Sequence, residues 1–224
     1  MKTRKKRKDL TLLWDADGTI LYSQDWWENS FYLTVEHFGF AIPEDSETKR
    51  LFAGIQLREI YRKIVPEGFD IDECIKFHVG IQNRTMDLIT LFDGEYDTLA
   101  VFQALGIKQG IVTARALRKP LVKSLETLGI YDFFQCIVCM EDVKSAKPDP
   151  EGIYLAMNKL DSDIGKTIMI GDTKYDISAG KNAGIRTIGV LYGSGMYDAE
   201  FLALNADFYV KSFEELKGVI ILNL

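Results

Sequence analysis

The chain has 224 residues, 47% hydrophobic and 27% charged, with a formal charge of −6. That is enough to bury a full core, in one large domain or in one carrying a smaller insert, and it is not the make-up of a disordered, collagenous or disulfide-built protein. No apolar run approaches the roughly 18 residues that would span a bilayer. Residues 10–14, LTLLW, are bulky and apolar and are predicted to form a strand buried on both faces. The run stops at Asp15-Ala16-Asp17-Gly18-Thr19. Asp is a poor strand residue and costly to bury, so two of them at the end of such a strand point to a metal or a proton that neutralises them. The pair alone would also fit a polar turn without chemistry.

After Thr19 the pattern becomes helical for about seventy residues. Ser23 is placed as the cap of a helix carrying Trp27, Phe31, Val35 and Phe38 on one stripe and ending at Gly39. Pro43 opens a second helical stretch to about Ala53, residues 57–65 make a third, and residues 72–91 the longest. His37 and His78 fall within this segment, and both are read as packing residues. From Gly94 strands and helices alternate. Strands are predicted at 108–113, 135–140, 167–170, 187–191 and, more weakly, 207–210, and helices at 97–105, 119–128, 150–160 and 175–182. Such alternation implies parallel strands covered by helices on both faces. The expected architecture is α/β, a three-layer Rossmann-like parallel sheet core of residues 1–20 and 92–224 with an inserted all-helical domain of residues 21–91. Sites in open parallel sheets lie beyond the carboxyl ends of the strands. Asp15, Asp17, Thr113 and Asp172, distant in the chain, are therefore expected to converge.

Residues 2–8 hold six Lys and Arg, so the rest of the chain carries −12. A basic tail suits nucleic acid or an acidic membrane surface, but the acidic body speaks against nucleic acid as the main partner, and a solvated tail is the expectation. The apolar run behind it is too short for an export signal, so a cytoplasmic protein is expected, a monomer or weak dimer without membrane attachment. Three cysteines do not make a disulfide framework. Cys136 and Cys139, three apart in a strand-like run, are read as buried free thiols.

Asp15-x-Asp17-Gly18-Thr19, a strand ending in Thr113, then Lys147-Pro148, then Gly171-Asp172-x-x-x-Asp176 resemble, in order, the four motifs of the haloacid dehalogenase superfamily. The helical insert after the first motif is similar to the cap of the branch that includes phosphoglycolate phosphatase, beta-phosphoglucomutase and pyrophosphatase-like enzymes. The resemblance implies phosphoryl transfer with Asp15 as nucleophile, forming a phosphoaspartyl intermediate, and Asp17 as general acid and then base. Dehalogenases lack the second Asp, so phosphate is favoured over halide. Thr113, the backbone N–H of Ala114 and the ammonium of Lys147 would hold the transferring phosphoryl group. Asp15, the backbone carbonyl of Asp17 and Asp172 would bind Mg²⁺, with Asp176 orienting a water or pairing with Lys147.

A cap of this kind closes over the site, and Trp26, Gln56 and Arg58 are its candidate contacts. The implied activity is hydrolysis of a small phosphorylated metabolite, with phosphoglycolate the preferred substrate. A beta-phosphoglucomutase-like mutase, a nucleotidase or pyrophosphatase, and a non-catalytic binding protein on the same scaffold are the alternatives. Mutases of that type carry a His soon after the first motif, and residues 22–27 have none. Two departures stand out: Ala16 is small where the family has a bulky apolar residue, and Ala114-Arg115 follow Thr113 where the family more often has Asn or Ser and then Lys.

Overall fold

The computed structural model describes residues 9–41, 57–193 and 199–223. The basic tail, the helix expected from Pro43 and Gln56 lie outside those residues. The chain divides into two compact units, Met1–Leu21 with Leu91–Leu224, and Tyr22–Thr90.

The first unit is built on a six-stranded, wholly parallel sheet in the order β3-β2-β1-β4-β5-β6. Its strands are β1 (Thr11–Trp14), β2 (Lys108–Val112), β3 (Cys136–Val138), β4 (Thr167–Gly171), β5 (Arg186–Val190) and β6 (Phe208–Val210). β1 is central because all four of its residues are buried apolar or β-branched side chains, as a strand covered on both faces requires. Leu13 packs with Val112, Ile153, Met157, Met169 and Ala179 in one core cluster. Trp14 meets Phe102 and Phe213 with ring centroids 6.3 and 6.2 Å away. Trp14 pairs in register with Ile111 of β2 and Ile170 of β4. Chain order reverses at β1, so the crevice beyond its carboxyl end is the switch point at which doubly wound sheets place their sites.

Parallel strands need crossovers, and the helices that supply them start and stop near the predicted places: Glu95–Ala104, Arg118–Thr127, Glu151–Leu160 and Lys174–Asn182. Two more, Ala199–Ala203 and Phe213–Asn223, had no sequence expectation. The last of these delivers Phe213 to Trp14. Cys136 and Cys139 are free and buried, like Cys74, and burial pushes the Cys139 thiol up to about 11.

The second unit comprises Gln24–Phe38, Leu57–Ile64 and Ile71–Arg84. Ser23 precedes the first helix but makes no side-chain cap bond, while its carbonyl accepts from the Trp27 N–H at 3.0 Å. The helix expected to reach residue 91 stops at Arg84. There Thr85 turns its hydroxyl back onto the Ile81 carbonyl at 3.0 Å, competing with the backbone, and a short 3₁₀ turn, Met86–Leu88, follows. Among the described residues no helix is long and apolar enough to cross a membrane.

His37 lies on the surface against Phe77. His78 is fully buried, its Nδ1 2.8 Å from the Tyr61 hydroxyl. Burial lowers the His78 pKa to about 3. The unfolded chain takes up this proton near the usual 6.5, the native one only near 3, so between those values the unfolded state binds more protons and stability falls as the pH is lowered. Between pH 7 and 5 the loss is about 2 kcal/mol, from 1.36 kcal/mol per pKa unit. Urea unfolding of the wild type and His78→Gln at both pH values should show the stability gap between them shifting by about that amount. A gap that does not move would rule out a buried, neutral His78.

Candidate active site

β1 carries the chain into the crevice and continues its ladder one residue further, the Asp15 N–H donating to the Ile170 carbonyl at 2.8 Å. The Ala16 carbonyl then collects the N–H groups of Thr19, Ile20 and Leu21 at 3.3, 3.0 and 2.9 Å, coiling the backbone into a tight turn. Gly18 has a φ of 79° within it. A Cβ at this position would overlap the Asp172 carboxylate, so the glycine serves both the left-handed turn and the close approach. The small Ala16 is fully buried.

Lys147 reaches this point from the loop before Glu151–Leu160. Its ammonium donates to Asp15 Oδ1 at 2.5 Å, Asp176 Oδ1 at 2.5 Å and the Val112 carbonyl at 3.0 Å. An ammonium has three protons and no acceptor, so these contacts saturate it. Its side chain is 7% exposed, that of Asp15 9% and that of Asp176 0%. Asp176 sits in the first turn of Lys174–Asn182, where its other oxygen accepts from the Thr173 N–H at 3.0 Å and the Thr173 hydroxyl at 2.6 Å. Both its oxygens are thus used to orient other groups. Asp172 follows β4, and its Oδ1 accepts from the Thr19 hydroxyl at 3.1 Å. The Thr19 carbonyl in turn accepts from the Tyr192 hydroxyl at 3.3 Å.

Asp15, Asp172 and Asp176 are buried and offer oxygens that all lie within 4.8 Å of one another. Three carboxylates therefore gather at one point, where one ammonium contacts two of them. Burial holds the Asp15 carboxyl well above its usual range, the Lys147 charge pulls the other way, and Asp176 and Asp172 push it higher still. For Lys147, burial lowers the pKa, but Asp15 and Asp176 outweigh it and the net shift is upward. An excess of hard oxygen donors in a buried pocket is what a small divalent cation relieves, so the residues present fit Mg²⁺.

Thr113 lies just past β2, beside Val112, whose carbonyl holds Lys147. It is 6% exposed, and its hydroxyl accepts from the Arg115 N–H at 3.2 Å. Ala114 next to it is half-buried. The convergence thus joins Asp15, Lys147, Asp172 and Asp176 directly, with Thr113 at the end of the adjoining strand. Asp17 takes a different partner: Arg115 Nε and Nη2 lie 2.7 and 2.6 Å from its two oxygens. Sequence reasoning singled out Arg115 only as a departure and missed this contact, because the two residues are 98 positions apart. A basic residue just past the strand next to β1 was the available signal. Tyr192 was missed too, and its position just after β5 was the corresponding hint. Two of the expected cap contacts have partners within residues 22–90. The Trp26 indole N–H donates to the Gln82 carbonyl at 3.0 Å, and Arg58 pairs with Asp72.

A doubly wound parallel sheet thus ends its central strand in paired aspartates, with a lysine and further aspartates gathered beyond neighbouring strands. The chain belongs to the haloacid dehalogenase-like hydrolase family, whose model matches residues 12–190. Its relatives include the Pyrophosphatase PpaX of Bacillus pumilus, 32% identical over 211 residues that cover 94% of this chain and 95% of that one. A crystal structure from Clostridium acetobutylicum, named as a predicted phosphatase, superposes with a TM-score of 0.80 at 26% identity, covering 95% and 98% of the two chains. Another, from Haemophilus somnus and named as a predicted phosphoglycolate phosphatase, gives 0.83 at 16% identity, with 95% and 98% covered.

Proposed function

We propose that this hydrolase is a Mg²⁺-dependent phosphatase that works through a phosphoaspartyl intermediate on Asp15. The observation that carries the reading is the buried contact of Asp15 with Lys147, set against Asp172 and Asp176 at the carboxyl end of the central strand. A free Asp15 oxygen would attack phosphorus in line, and the phosphorus–oxygen bond to the leaving group would break with its electron pair on that oxygen. Asp17, protonated and with one oxygen turned out of its contact with Arg115, would supply a proton to the leaving oxygen. Water would then attack the aspartyl phosphate, giving its proton to Asp17, and the acyl-phosphate bond would break to release phosphate and restore Asp15. The Thr113 hydroxyl and the Ala114 N–H would hold the phosphoryl oxygens throughout, with Lys147 as a fixed positive charge beside them. Mg²⁺, held by Asp15, Asp172 and the backbone carbonyl of Asp17, would offset charge on those oxygens, while Asp176 keeps Lys147 in place. Residues 22–90 are read as the cap of the family, the part that selects the substrate.

For the substrate, pyrophosphate now stands ahead of phosphoglycolate. The relatives named pyrophosphatase match at 32% identity over nearly the whole chain, whereas the phosphoglycolate phosphatase name comes from a neighbour at 16%, a level that speaks for the fold alone. The test is phosphate release from pyrophosphate, phosphoglycolate, sugar phosphates and nucleotides, with Mg²⁺ and with EDTA. Turnover should require Mg²⁺, vanish with EDTA and return on adding the metal back, with pyrophosphate giving the highest kcat/KM. Release that is unaffected by EDTA, or absent across the panel, would refute the reading.

A further inference from the structure

The reaction above gives no task to the Arg115 guanidinium beyond its contact with Asp17. The Arg115 side chain is 11% exposed and that of Asp17 28%, and the guanidinium meets both carboxylate oxygens, at 2.7 and 2.6 Å. The arginine is planted firmly. Its N–H donates to the Thr113 hydroxyl at 3.2 Å, and its carbonyl accepts from the Met140 N–H at 3.0 Å. The carbonyl of Ala116, next in the chain, accepts from the Glu141 N–H at 3.2 Å. The segments after β2 and β3 thus fix where this cation sits.

The site therefore holds two largely buried cationic side chains, each bound to a different carboxylate of the first motif: Lys147 to Asp15 and Arg115 to Asp17. Lys147 serves the phosphoryl group being transferred. Arg115 stands at the residue that meets the leaving oxygen, where the electron pair of the broken phosphorus–oxygen bond arrives. An ester of a neutral alcohol brings no charge to that place. A phosphate or a short carboxylic acid does, and a guanidinium, with five N–H donors, can give either one a charge-assisted hydrogen bond while it holds Asp17.

We propose that Arg115 is a specificity-determining residue that selects substrates whose leaving group is itself an anion, a phosphate or a short carboxylic acid, over esters of neutral alcohols. The proposal rests on the reading of Asp15 as nucleophile and Asp17 as the group facing the leaving oxygen, and it deepens that reading by stating what lies beyond the oxygen.

The experiment measures kcat/KM with Mg²⁺ for the wild type, Arg115→Lys and Arg115→Gln on pyrophosphate, phosphoglycolate, glycerol 3-phosphate and glucose 6-phosphate. Arg115→Gln should lower kcat/KM for an anionic leaving group about 10- to 100-fold more than for the two neutral ones, the range set by one charge-assisted hydrogen bond. Arg115→Lys, which keeps the charge but not the fork, should fall between. A selective loss on pyrophosphate identifies phosphate as the leaving group read by Arg115, and one on phosphoglycolate identifies the carboxylate. An equal loss on all four substrates means a structural role and overturns the proposal, as does a wild type that prefers the neutral esters. If thermal melting shows Arg115→Gln unfolded, the ratio for Arg115→Lys decides in the same way. A wild type that releases no phosphate, or whose release survives Asp15→Asn, refutes the phosphatase reading itself, a result distinct from an unchanged ratio.

Discussion

Asp15→Asn is expected to lose turnover by about 10⁴-fold or more while remaining folded, because the amide keeps the shape of the side chain but has no carboxylate to attack phosphorus. The fold should survive for an electrostatic reason. Asp15 is one of three buried carboxylates gathered within 4.8 Å, and its own carboxyl is already pushed up by burial and by Asp176 and Asp172. Removing its charge relieves that repulsion, and the Asn carbonyl can still accept from Lys147. The thermal midpoint should stay level or rise slightly. Two measurements check this: steady-state phosphate release, and a melting curve on the same preparation. A variant that still turns over at the wild-type rate would remove Asp15 from the role of nucleophile.

Lys147→Met should damage both activity and stability, and this contrast separates the two residues. The ammonium is the only group shown bridging Asp15 and Asp176 among the described residues, and it also satisfies the Val112 carbonyl. Without it two buried carboxylates face each other beside Asp172. Breaking a buried pair by removing one partner costs about 3–5 kcal/mol, because the other charge is left uncompensated. In a chain of this size that lowers the melting point by roughly 6–20 °C. Turnover should fall by about 10³-fold, since the phosphoryl oxygens lose a fixed cation as well. Adding Asp176→Asn to Lys147→Met should recover part of the melting point, by removing one of the stranded charges, and none of the activity. A single variant that melts like the wild type would show that the lysine is not the counter-charge of the cluster.

The legible part of the fold was the part encoded locally. A run such as residues 10–14 can be read as a buried strand because every side chain in it is apolar or β-branched, whatever surrounds it. The helices between the strands announced themselves through their periodicity and the glycines at their ends. The readings that missed depended on which partner a side chain takes, near or far. Ser23 has the chemistry of a helix cap, yet its hydroxyl makes no cap bond. Thr85 has a helix-compatible neighbourhood, yet its side chain bonds the Ile81 carbonyl and the helix ends there. The closing helix Phe213–Asn223 carries a broad apolar surface without a clean stripe, and its place follows from a ring contact with Trp14, about two hundred residues away.

The candidate site divides along the same line. The amino-acid order alone determined which residue types stand at the ends of which strands: the aspartates after β1, the threonine after β2, the lysine before a proline, the aspartates after β4. Those positions follow from local pattern and from the rule that parallel sheets present one end to solvent. Only the tertiary structure decided who holds whom, with Lys147 between Asp15 and Asp176, Thr19 on Asp172, and Arg115 across both oxygens of Asp17. Partner choice is a matter of side chains meeting in space after the sheet has brought 15, 113, 147 and 172 to one rim, and no spacing along the chain encodes it.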